Sequence, residues 1–322
     1  MVTVTIQIVT YNSSKTIEMC LSALLSQKAV DFDVLILDND STDDTVRRVE
    51  ACGVECRRNA KNAGYAVAHN QLLSLSNSEF VLTLNPDVRL EPTFLCLLVS
   101  TLQENPHLGS ACGALLRVNA LKEQITGEEH IDSLGVYMRR NRRQGLIGDG
   151  LPLSAMPAHP LPIFGPDGAA ALYRRAMLED IRIAGEVFDE DFFMHKEDID
   201  ICWRAQWRGW QALSVPGAMA QHIRGFRPGR RHGVAQTMRY LGVRNRYLLM
   251  LKNDAPQHFL RDLPYIAAYD LKVLAYILLF ERRSMRAYGS TAKLLQRMRD
   301  KRRYIQANKR VDWREIKHWF MG

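Results

Sequence analysis

Several short polar segments of this sequence come directly after apolar runs, where their residue types could bind a phosphorylated ligand. The clearest is Asn85-Pro86-Asp87, which follows the five residues Phe80 to Leu84. Such a run is typical of a buried strand, so Asp87 is expected at the edge of a sheet. A carboxylate there can hold a hard cation, and the cation can hold a phosphate. The alternative is an ordinary turn with a solvated Asp87, because Asn-Pro and Pro-Asp are common turn formers.

Two more polar segments follow apolar runs in the first part of the chain. Thr10, Tyr11 and Asn12 come after the first run. A ring beside two small polar groups suits a flat base and a ribose, and a simple loop explains these residues equally well. Asp38 comes after the second run. It is expected at the rim of the sheet, where it could accept a hydrogen bond from a base or a ribose.

The segment Asn62-Ala63-Gly64-Tyr65 contains a glycine between two predicted elements. Asn62 could hydrogen-bond either its own loop or a phosphate. Gly64 permits a close approach of the backbone or a positive φ. Structural and ligand-binding interpretations are evenly matched for this segment.

Acidic side chains crowd the segment 192–200, where an apolar stretch changes into a helical pattern. At least one of them is explained as a helix cap or as a partner of the helix dipole. Another of these acids could be a general base that deprotonates an attacking sugar hydroxyl, which requires a fixed carboxylate within hydrogen-bond reach. His222 could add an imidazole nitrogen to a carboxylate-held metal, although a lone histidine is more often a surface or core residue.

An alternation of apolar runs with helical patterns must position these segments. Three of the runs are predicted strands: 4–9, 32–37 and 80–84. Strands that alternate with helices predict an α/β fold with a parallel sheet and right-handed crossovers. A stretch rich in glycine and proline at 145–168 predicts a long loop. After about residue 223 the pattern changes to long helices that carry many arginines.

The composition is that of a globular protein with one charged region. The chain has 322 residues, of which 47% are hydrophobic and 24% charged. Its net charge of +8 is uneven, because residues 223–322 hold 23 Lys and Arg against 7 Asp and Glu, which gives +16 and leaves −8 for residues 1–222. The asymmetry indicates two functional regions and an anionic partner for the second one.

Other sequence features narrow the class of protein. The longest uninterrupted apolar run, 273–280, is shorter than the roughly 18 residues that span a bilayer. The first residues show no basic leader and are expected to form a strand. Of the six cysteines only Cys52 and Cys56 lie close together. We therefore expect no zinc site, and reduced thiols in a cytosolic protein.

Taken in order, these segments resemble the inverting glycosyltransferases of family 2. Within that family they are similar to the subgroup that transfers rhamnose and related sugars in bacterial polysaccharide or cell-wall assembly. The resemblance covers roughly residues 2–225. The matching segments all lie at predicted strand ends or helix starts: Ile8-Val9-Thr10-Tyr11-Asn12, Leu37-Asp38-Asn39-Asp40-Ser41-Thr42-Asp43, Asn62-Ala63-Gly64-Tyr65, Leu84-Asn85-Pro86-Asp87-Val88, Asp167-Gly168-Ala169-Ala170 and Glu197-Asp198-Ile199-Asp200. Arg244-Asn245-Arg246 also looks like the later part of this subgroup.

The resemblance implies a GT-A fold with a mostly parallel central sheet. It implies a glycosyltransferase domain at 1–222, divided into a nucleotide-binding half (1–110) and an acceptor-binding half (111–222), and a basic, mainly helical tail at 223–322. The implied reaction is an inverting hexosyl transfer from a nucleoside-diphosphate sugar to a glycan or lipid-linked acceptor. The implied cofactor is a divalent metal, Mg or Mn.

The resemblance also implies roles for particular residues. Asp198 would be the catalytic base, and Asp87 and His222 would bind the metal. Residues that would contact the donor are Thr10, Tyr11, Asn12, Asp38, Asn62, Gly64, Asn85 and Asp87. Residues that would border the acceptor are Asp167, Gly168 and Glu197.

Two positions depart from the family pattern. Asn85 replaces the first Asp of the Asp-x-Asp motif. The metal site therefore has one negative charge less. We expect it to bind its ion only when the donor is also bound. His69 stands where some relatives place an arginine that contacts the donor, so that phosphate contact is not expected from this position.

The C-terminal region suggests a location for the protein. Apolar and aromatic residues at 263–280 precede many cations at 284–310. This pattern suits a helix that lies on an anionic membrane near a lipid-linked acceptor, and a helical cap packed on the catalytic domain is an equal alternative. We expect a cytoplasmic protein that can bind peripherally to the inner face of the cell membrane. The sequence indicates no oligomeric state.

Other functions have weaker support in the sequence. A nucleic-acid-binding protein could use the arginine-rich tail, but no helix-turn-helix, finger or RNA-binding signature is present. A dinucleotide-dependent oxidoreductase needs a Gly-x-Gly-x-x-Gly turn after the first strand, and Thr10-Tyr11-Asn12-Ser13 lacks it. A catalytically inactive sugar-nucleotide-binding module is a further alternative, and the presence of both Asp87 and Asp198 weighs against it.

Overall fold

A computed structural model describes residues 4–224 and 235–321 of the chain. The α-helices of this part are α1 (Ile17–Leu25), α2 (Thr45–Ala51), α3 (Tyr65–Leu73), α4 (Phe94–Glu104), α5 (Arg175–Asp180), α6 (Glu197–Trp207), α7 (Gln236–Asn253), α8 (Pro256–Phe280), α9 (Arg286–Asn308) and α10 (Trp313–Ile316). The strands are β1 (Val4–Thr10), β2 (Phe32–Asp38), β3 (Cys56–Arg58), β4 (Phe80–Leu84), β5 (Val88–Leu90), β6 (Leu108–Arg117), β7 (His130–Ser133), β8 (Val136–Arg139), β9 (Gln144–Leu146), β10 (Leu161–Ile163), β11 (Ala170–Arg174), β12 (Gln211–His222) and β13 (Phe320–Met321).

One mixed sheet of ten strands forms the centre of the described structure. Its main path is β10-β12-β6-β11-β4-β1-β2-β3, while β5 pairs with β12 and β7 pairs with β6. Along this path four of the seven pairings are parallel, and β11 runs antiparallel to both of its neighbours. A small second sheet has the order β13-β8-β9. The predicted α/β fold with a mostly parallel central sheet is confirmed.

The first strands form where β-branched and other apolar residues predominate. All residues of β1 and β4 are buried, because helices cover both faces of this part of the sheet. On one face, Ile6 and Ile8 pack in the same cluster as Leu21 of α1 and Leu98 of α4. On the other face, strand residues such as Val9 pack with α3.

The strand register brings several strand ends to one edge of the sheet. In the parallel pair β1–β2, Thr10 lies opposite Asp38. The antiparallel strand β11 starts at this edge, because Ala170 lies opposite Leu84 at the end of β4. The long strand β12 also ends here, with His222 next to the start of β5.

The C-terminal helices pack on the second half of the sheet through aromatic side chains. Trp203 and Trp207 of α6 are completely buried and share a cluster with Leu248 of α7, Met298 of α9 and Phe320 of β13. The helix α6, whose first turn carries Asp198, is therefore held between the sheet and the helices that follow it.

Three features differ from the sequence expectation. The stretch 145–168, predicted as a loop, contributes the short strand β10 and the end of β9. Strand β6 runs through residue 110, where two halves were predicted to meet. The apolar run 273–280 is the end of α8. Among the helices of the described residues, α8 is the one whose length and composition would allow it to cross a membrane. Part of the predicted tail, residues 225–234 and 322, lies outside the described residues.

Candidate active site

The edge of the sheet where β1, β2 and β4 end is called the strand-end edge below. The turns that follow β1 and β2 are joined there. Tyr11 follows β1, and its side chain is 51% exposed, which leaves the ring open to stack on a flat ligand. Asn12 has a φ of 52°, and its side-chain oxygen accepts a hydrogen bond from the Thr42 backbone N–H at 2.9 Å. The bond ties the two turns together and fixes the backbone that carries Tyr11.

Thr10 and Asp38 lie beneath these turns and are completely buried. The Thr10 hydroxyl donates to Asp38 Oδ1 at 2.8 Å, and the Ser41 backbone N–H donates to Asp38 Oδ2 at 2.8 Å. Both carboxylate oxygens are therefore bonded within the protein, and the carboxylate supports the turn before α2. A direct contact of Thr10 or Asp38 with a base stays a prediction.

Gly64 allows two loops to touch near the start of α3. Its φ is 91°, and a Cβ at this position would lie 2.5 Å from a ring carbon of Phe193. Only glycine fits this approach without strain. The Asn62 side chain accepts a hydrogen bond from the Gly64 N–H at 3.0 Å, so it stabilises its own loop. Phosphate contacts of Asn62 and Gly64 stay predictions.

His69, the position noted for its departure from the family pattern, is a core residue. It is completely buried, and its Nδ1 lies 2.9 Å from Gln7 Oε1. Burial lowers the pKa of His69 to about 3. A neutral histidine inside the protein supports the sheet and offers no charge to a phosphate.

His222 lies next to Asp87 because β12 pairs with β5, which begins directly after Asp87. His222 Nε2 is 3.7 Å from Asp87 Oδ1. That oxygen is buried and has no hydrogen-bond partner among the described residues. The other ring nitrogen, Nδ1, lies 2.9 Å from Oδ2 of Asp132, which is fully buried. Since an ionised carboxylate can only accept, Nδ1 carries a proton, and in the neutral ring the Nε2 lone pair faces Asp87.

These two side chains fit one divalent cation. An unpaired carboxylate oxygen and an imidazole nitrogen 3.7 Å apart can both contact a single ion. Burial raises the pKa of Asp87. Among the described residues no group of three or more His, Cys, Asp or Glu could hold a metal alone. Most ligands of an ion here would therefore come from a bound diphosphate and water.

Asp167 and Gly168 come to the same edge because they precede β11. The Asn85 backbone N–H donates to the Ala169 carbonyl at 2.8 Å. The turn that carries Asp87 is thus joined directly to the segment predicted to border the acceptor. This join involves backbone atoms only, so it depends on the strand pairing and not on a particular side chain.

Arg224 connects the acceptor segment to the candidate metal ligands. Its guanidinium donates to Asp167 Oδ2 at 2.6 Å and to Asp132 Oδ2 at 2.8 Å. Burial alone would raise the pKa of Asp132, but the hydrogen bond from His222 and the charge of Arg224 hold that pKa well below its usual range. A continuous chain of hydrogen bonds therefore runs from Asp167 through Arg224 and Asp132 to His222.

Asp198 faces the acceptor segment from the first turn of α6. The Gly168 N–H donates to Asp198 Oδ2 at 3.3 Å, and the Ile199 N–H donates to Asp198 Oδ1 at 2.8 Å. Burial raises the pKa of Asp198, and the charge of Asp167 raises it further. A carboxylate that is fixed by two backbone donors and has a raised pKa is suited to accept a proton.

Glu197 is more deeply placed than Asp198. It is 7% exposed, and its Oε2 is buried without a hydrogen-bond partner among the described residues. Burial and the neighbouring Asp198 both raise the pKa of Glu197. An acceptor contact by this side chain stays a prediction.

The segment before α6 has an unusual backbone. Phe193, His195 and Lys196 have φ values of 65°, 72° and 78°. A positive φ at a residue other than glycine costs of the order of 1–3 kcal/mol, so surrounding contacts must impose the conformation. The segment leads directly into Glu197 and Asp198 and sets the direction in which α6 begins.

Asn245 of α7 supplies those contacts. Its side-chain amide donates to the carbonyls of Phe192, Met194 and His195 at 3.0, 2.9 and 2.7 Å, and Asn245 is completely buried. Arg244 also donates to the Phe192 carbonyl, at 2.9 Å. We call Arg244 and Asn245 the α7 clamp, because they hold the backbone that positions Asp198.

The sequence analysis did not assign a role to Asp132, Arg224 or Asn245. Arg224 could have been found, because it lies two residues after His222 and side chains two apart in extended chain point to the same side. Asn245 was noted only as part of a resemblance. Asp132 gave no signal, since the two site residues that it contacts, His222 and Arg224, lie 90 and 92 residues away in the chain.

A comparison with known families now decides the class of protein. The sequence profile of Glycosyl transferase family 2 matches residues 5–182, which is more than half of the chain. The chain belongs to this family. The resemblance predicted from the sequence is therefore confirmed, and the protein is a glycosyltransferase.

A curated relative covers most of this family 2 glycosyltransferase. N-acetylglucosaminyl-diphospho-decaprenol L-rhamnosyltransferase of Mycobacterium tuberculosis is 27% identical over an alignment of 252 positions, which covers 69% of this chain and 76% of the relative. The match extends beyond the part that the family profile covers.

Solved structures confirm the GT-A fold of this family 2 glycosyltransferase. GalNAc-T7 with UDP, GalNAc and Mn²⁺ aligns with a TM-score of 0.59 and 13% identity over 78% of this chain and 48% of that chain. Residues 1–349 of TarS from Staphylococcus aureus, in complex with UDP, align with a TM-score of 0.56 and 20% identity over 96% and 88% of the two chains. The chain thus spans about half the length of the GalNAc-T7 chain. At these identities the likeness shows the fold alone.

Proposed function

We propose that this glycosyltransferase moves a sugar, with inversion, from a nucleoside diphosphate to a hydroxyl of a glycan or lipid-linked glycan in bacterial polysaccharide or cell-wall assembly. One observation carries the proposal. The Asn85 N–H donates to the Ala169 carbonyl, and the Gly168 N–H donates to the Asp198 carboxylate. They place Asp87 and Asp198 on two sides of one short segment, as a donor and an acceptor require.

The donor would lie along the strand-end edge. The exposed Tyr11 ring at the end of β1 offers a stacking surface for the base. Asn85 and Asp87 follow β4, the strand that pairs directly with β1. The structural neighbours were solved with UDP, which supports a nucleoside-diphosphate donor. The name of the mycobacterial relative supports rhamnose as the sugar.

The leaving diphosphate gains negative charge as its bond to the sugar breaks. Asp87 and His222 would hold a divalent cation, and Mn²⁺ in the GalNAc-T7 structure supports this choice. The bound cation would neutralise the developing charge. Arg224 lies at the same edge through its contact with Asp132 and adds a fixed positive charge nearby.

Asp198 would accept the proton of the attacking hydroxyl. The acceptor oxygen forms a bond to the anomeric carbon while the bond from that carbon to the diphosphate breaks, and the proton goes to Asp198. A single displacement from the opposite face inverts the anomeric configuration. The raised pKa of Asp198 favours proton uptake, and such general-base assistance typically contributes about 10²–10⁴-fold.

Asp198→Asn tests the proposal. We expect sugar transfer to fall by about 10²–10⁴-fold, while calorimetry shows donor binding in the presence of Mn²⁺ close to that of the wild type. Asp31→Asn is the matched control, because Asp31 is exposed and lies before β2, away from the strand ends. Full transfer by Asp198→Asn would refute the base assignment. Absence of donor binding by the wild-type chain would refute the function itself.

A further inference from the structure

The outward face of α8 is made of apolar side chains. Its large exposed residues have relative exposures between 41% and 73%, and they are Leu260, Leu263, Tyr265, Leu271, Leu278, Leu279 and Phe280. Leu260, Leu263, Leu271 and Leu278 are spaced by 3, 8 and 7 residues, which places them on one stripe of a helix. We call these four residues the α8 stripe.

The inward face of α8 combines the buried Ile266 and Ile277 with charged groups that are paired to the rest of the protein. Asp262 is completely buried, and it accepts hydrogen bonds from Arg142 at 2.7 Å and from Arg140 at 2.9 Å. Further along, Asp270 pairs with Arg246 of α7 at 2.5 Å. Both aspartates of this helix therefore bind the protein, and the leucines at 260, 263, 271 and 278 face outward.

A surface helix with an exposed leucine stripe requires a partner of matching chemistry. The best 18-residue window of α8 has a mean hydropathy of 1.5, and only 11% of it is buried. A helix of 25 residues is about 37 Å long at 1.5 Å per residue. The exposed stripe is thus long, narrow and apolar, as in helices that lie in the interface of a bilayer.

The charges near the end of α8 select the kind of partner. Arg282, Arg283 and Arg286 are exposed and follow the helix directly. Residues 223–322 as a whole carry a net charge of +16. A second copy docked stripe to stripe would bring two strongly positive regions together, whereas anionic lipid headgroups would attract them.

The ionic inward face decides between lying on the membrane and crossing it. Arg142 and Asp262 are both 0% exposed in their side chains, and Arg142 also pairs with Asp254 at 2.7 Å. A membrane-crossing α8 would have to leave these partners and carry Asp262 and Asp270 into hydrocarbon, which is strongly unfavourable. The helix can meet lipid with its outward stripe while its inward face stays paired.

We propose that the α8 stripe docks this glycosyltransferase onto an anionic lipid surface, with α8 lying in the plane of the interface. The arginines that follow α8 contact the headgroups, and the leucines enter the boundary between headgroups and acyl chains. This places the enzyme peripherally on a membrane. The proposal does not depend on the donor, the metal or the acceptor, so it can fail or hold independently of the proposed reaction.

Vesicle flotation of the full chain tests the docking surface. The wild type should float with vesicles of phosphatidylglycerol and phosphatidylcholine, bind vesicles of phosphatidylcholine alone at least about tenfold less, and detach in high salt. The variant L260Q/L271Q/L278Q should lose at least about tenfold of the binding to the anionic vesicles. The matched control L25Q/L75Q/L151Q makes the same changes at leucines of similar exposure elsewhere, and it should bind like the wild type.

A second variant keeps the test independent of the leucine substitutions. R282Q/R283Q/R286Q should lose binding to anionic vesicles and retain the weak binding to neutral ones. Failure of the wild type to float would overturn the proposal, as would wild-type binding by the leucine variant. A dimer that light scattering detects in the wild type and not in the leucine variant, without vesicle binding, would assign the stripe to a second copy. Resistance of the bound protein to alkaline carbonate would indicate a crossing helix and would also overturn it.

Discussion

Two regions of the molecule are stabilised by different kinds of contact. One is the strand-end edge that carries Asp87, and the other is the helical layer, formed by α6 and the helices that follow it, which holds Asp198. At the edge, position follows from backbone pairing, as in the register between β11 and β4 and the hydrogen bond from Asn85 to Ala169. In the helical layer, position follows from buried charged groups. Lys252 of α7 donates to Asp189 at 2.6 Å and to Asp200 of α6 at 2.8 Å.

The difference shows how a single substitution should act in each region. Asp87 at the edge can be removed without breaking a hydrogen bond of its Oδ1, so the loss is confined to its own chemistry. In the helical layer, removal of one partner leaves a buried charge or carbonyl without its contact, and breaking a buried ion pair costs about 3–5 kcal/mol. Such a loss also moves the start of α6 and therefore Asp198.

Asp87→Ala should have the largest effect and should leave the fold intact. Calorimetry should show loss of the Mn²⁺-dependent part of donor binding, and transfer should fall by at least about 10³-fold, because charge stabilisation at the leaving group is usually the largest catalytic contribution. The thermal unfolding midpoint should stay within about 2 °C, since Asp87 Oδ1 has no hydrogen-bond partner to lose.

Asp132→Asn provides a graded version of the same experiment. Both candidate ligands remain, but the group that orients His222 changes, and such supporting partners typically contribute 10–100-fold to metal affinity. We expect the Mn²⁺ concentration needed for half-maximal donor binding to rise by about that factor. If donor binding by Asp87→Ala depended on Mn²⁺ as it does in the wild type, the metal assignment would be wrong. The proposed difference between the strand-end edge and the helical layer would then have no support.

Asn245→Ala should affect the helical layer with a smaller loss of activity. Three backbone carbonyls before α6 lose a donor, so the unfolding free energy should fall by about 1–3 kcal/mol. The value of kcat should fall by about 10²-fold, the typical result of misplacing a catalytic group. The donor KM should change little, because the α7 clamp does not touch the strand-end edge.

The control for this variant is Asn308→Ala. Asn308 lies at the end of α9, and its exposed amide donates to one carbonyl, that of Tyr304. Its removal should change neither stability nor kcat beyond the error of measurement. If Asn245→Ala raised the donor KM as much as it lowered kcat, the two regions would not be separable in the way that their contacts indicate.

The pH dependence of transfer offers the smallest and sharpest change. Because the pKa of Asp198 is raised, transfer should decline on acidification at a pH above the ordinary carboxyl value of about 3.9. Asp167→Asn removes the negative charge that contributes to this shift. The pKa of Asp198 should then fall, and the acidic limb of the kcat profile should move to lower pH. If the acidic limb moved to higher pH or did not move, the interaction between the charges of Asp167 and Asp198 would be contradicted.

Much of the strand-end edge could be predicted because its determinants are local. A buried strand of four apolar residues and Thr83, followed by Asn85-Pro86-Asp87, gives β4 and its polar turn. β1 and β2 are likewise followed by polar residues. Parallel strands bring their carboxyl ends to one edge, so the predicted groups had to lie near one another. The family and the GT-A fold followed from the same segments.

The helical layer could be predicted only as helices. Helical spacing shows that α7 and α8 form, but it does not show which faces they bury. The run of apolar residues in α8 suggested a helix too short to cross a membrane, whereas the folded helix has 25 residues and directs its leucines outward. The strained backbone before α6 left no pattern at all, since Phe193, His195 and Lys196 are ordinary residues for a right-handed conformation.

The sequence by itself determined the strand ends, the polar residues that follow them and the class of chemistry they serve, because each of these depends on residues within about ten positions of one another. The tertiary structure alone decided that Asp132 orients His222, that Arg224 bridges to Asp167, and that Asn245 holds the start of α6. Those contacts join residues 50 to 92 positions apart. Their pairing is selected by burial, which makes each charged or polar group find a partner, and burial is a property of the whole fold.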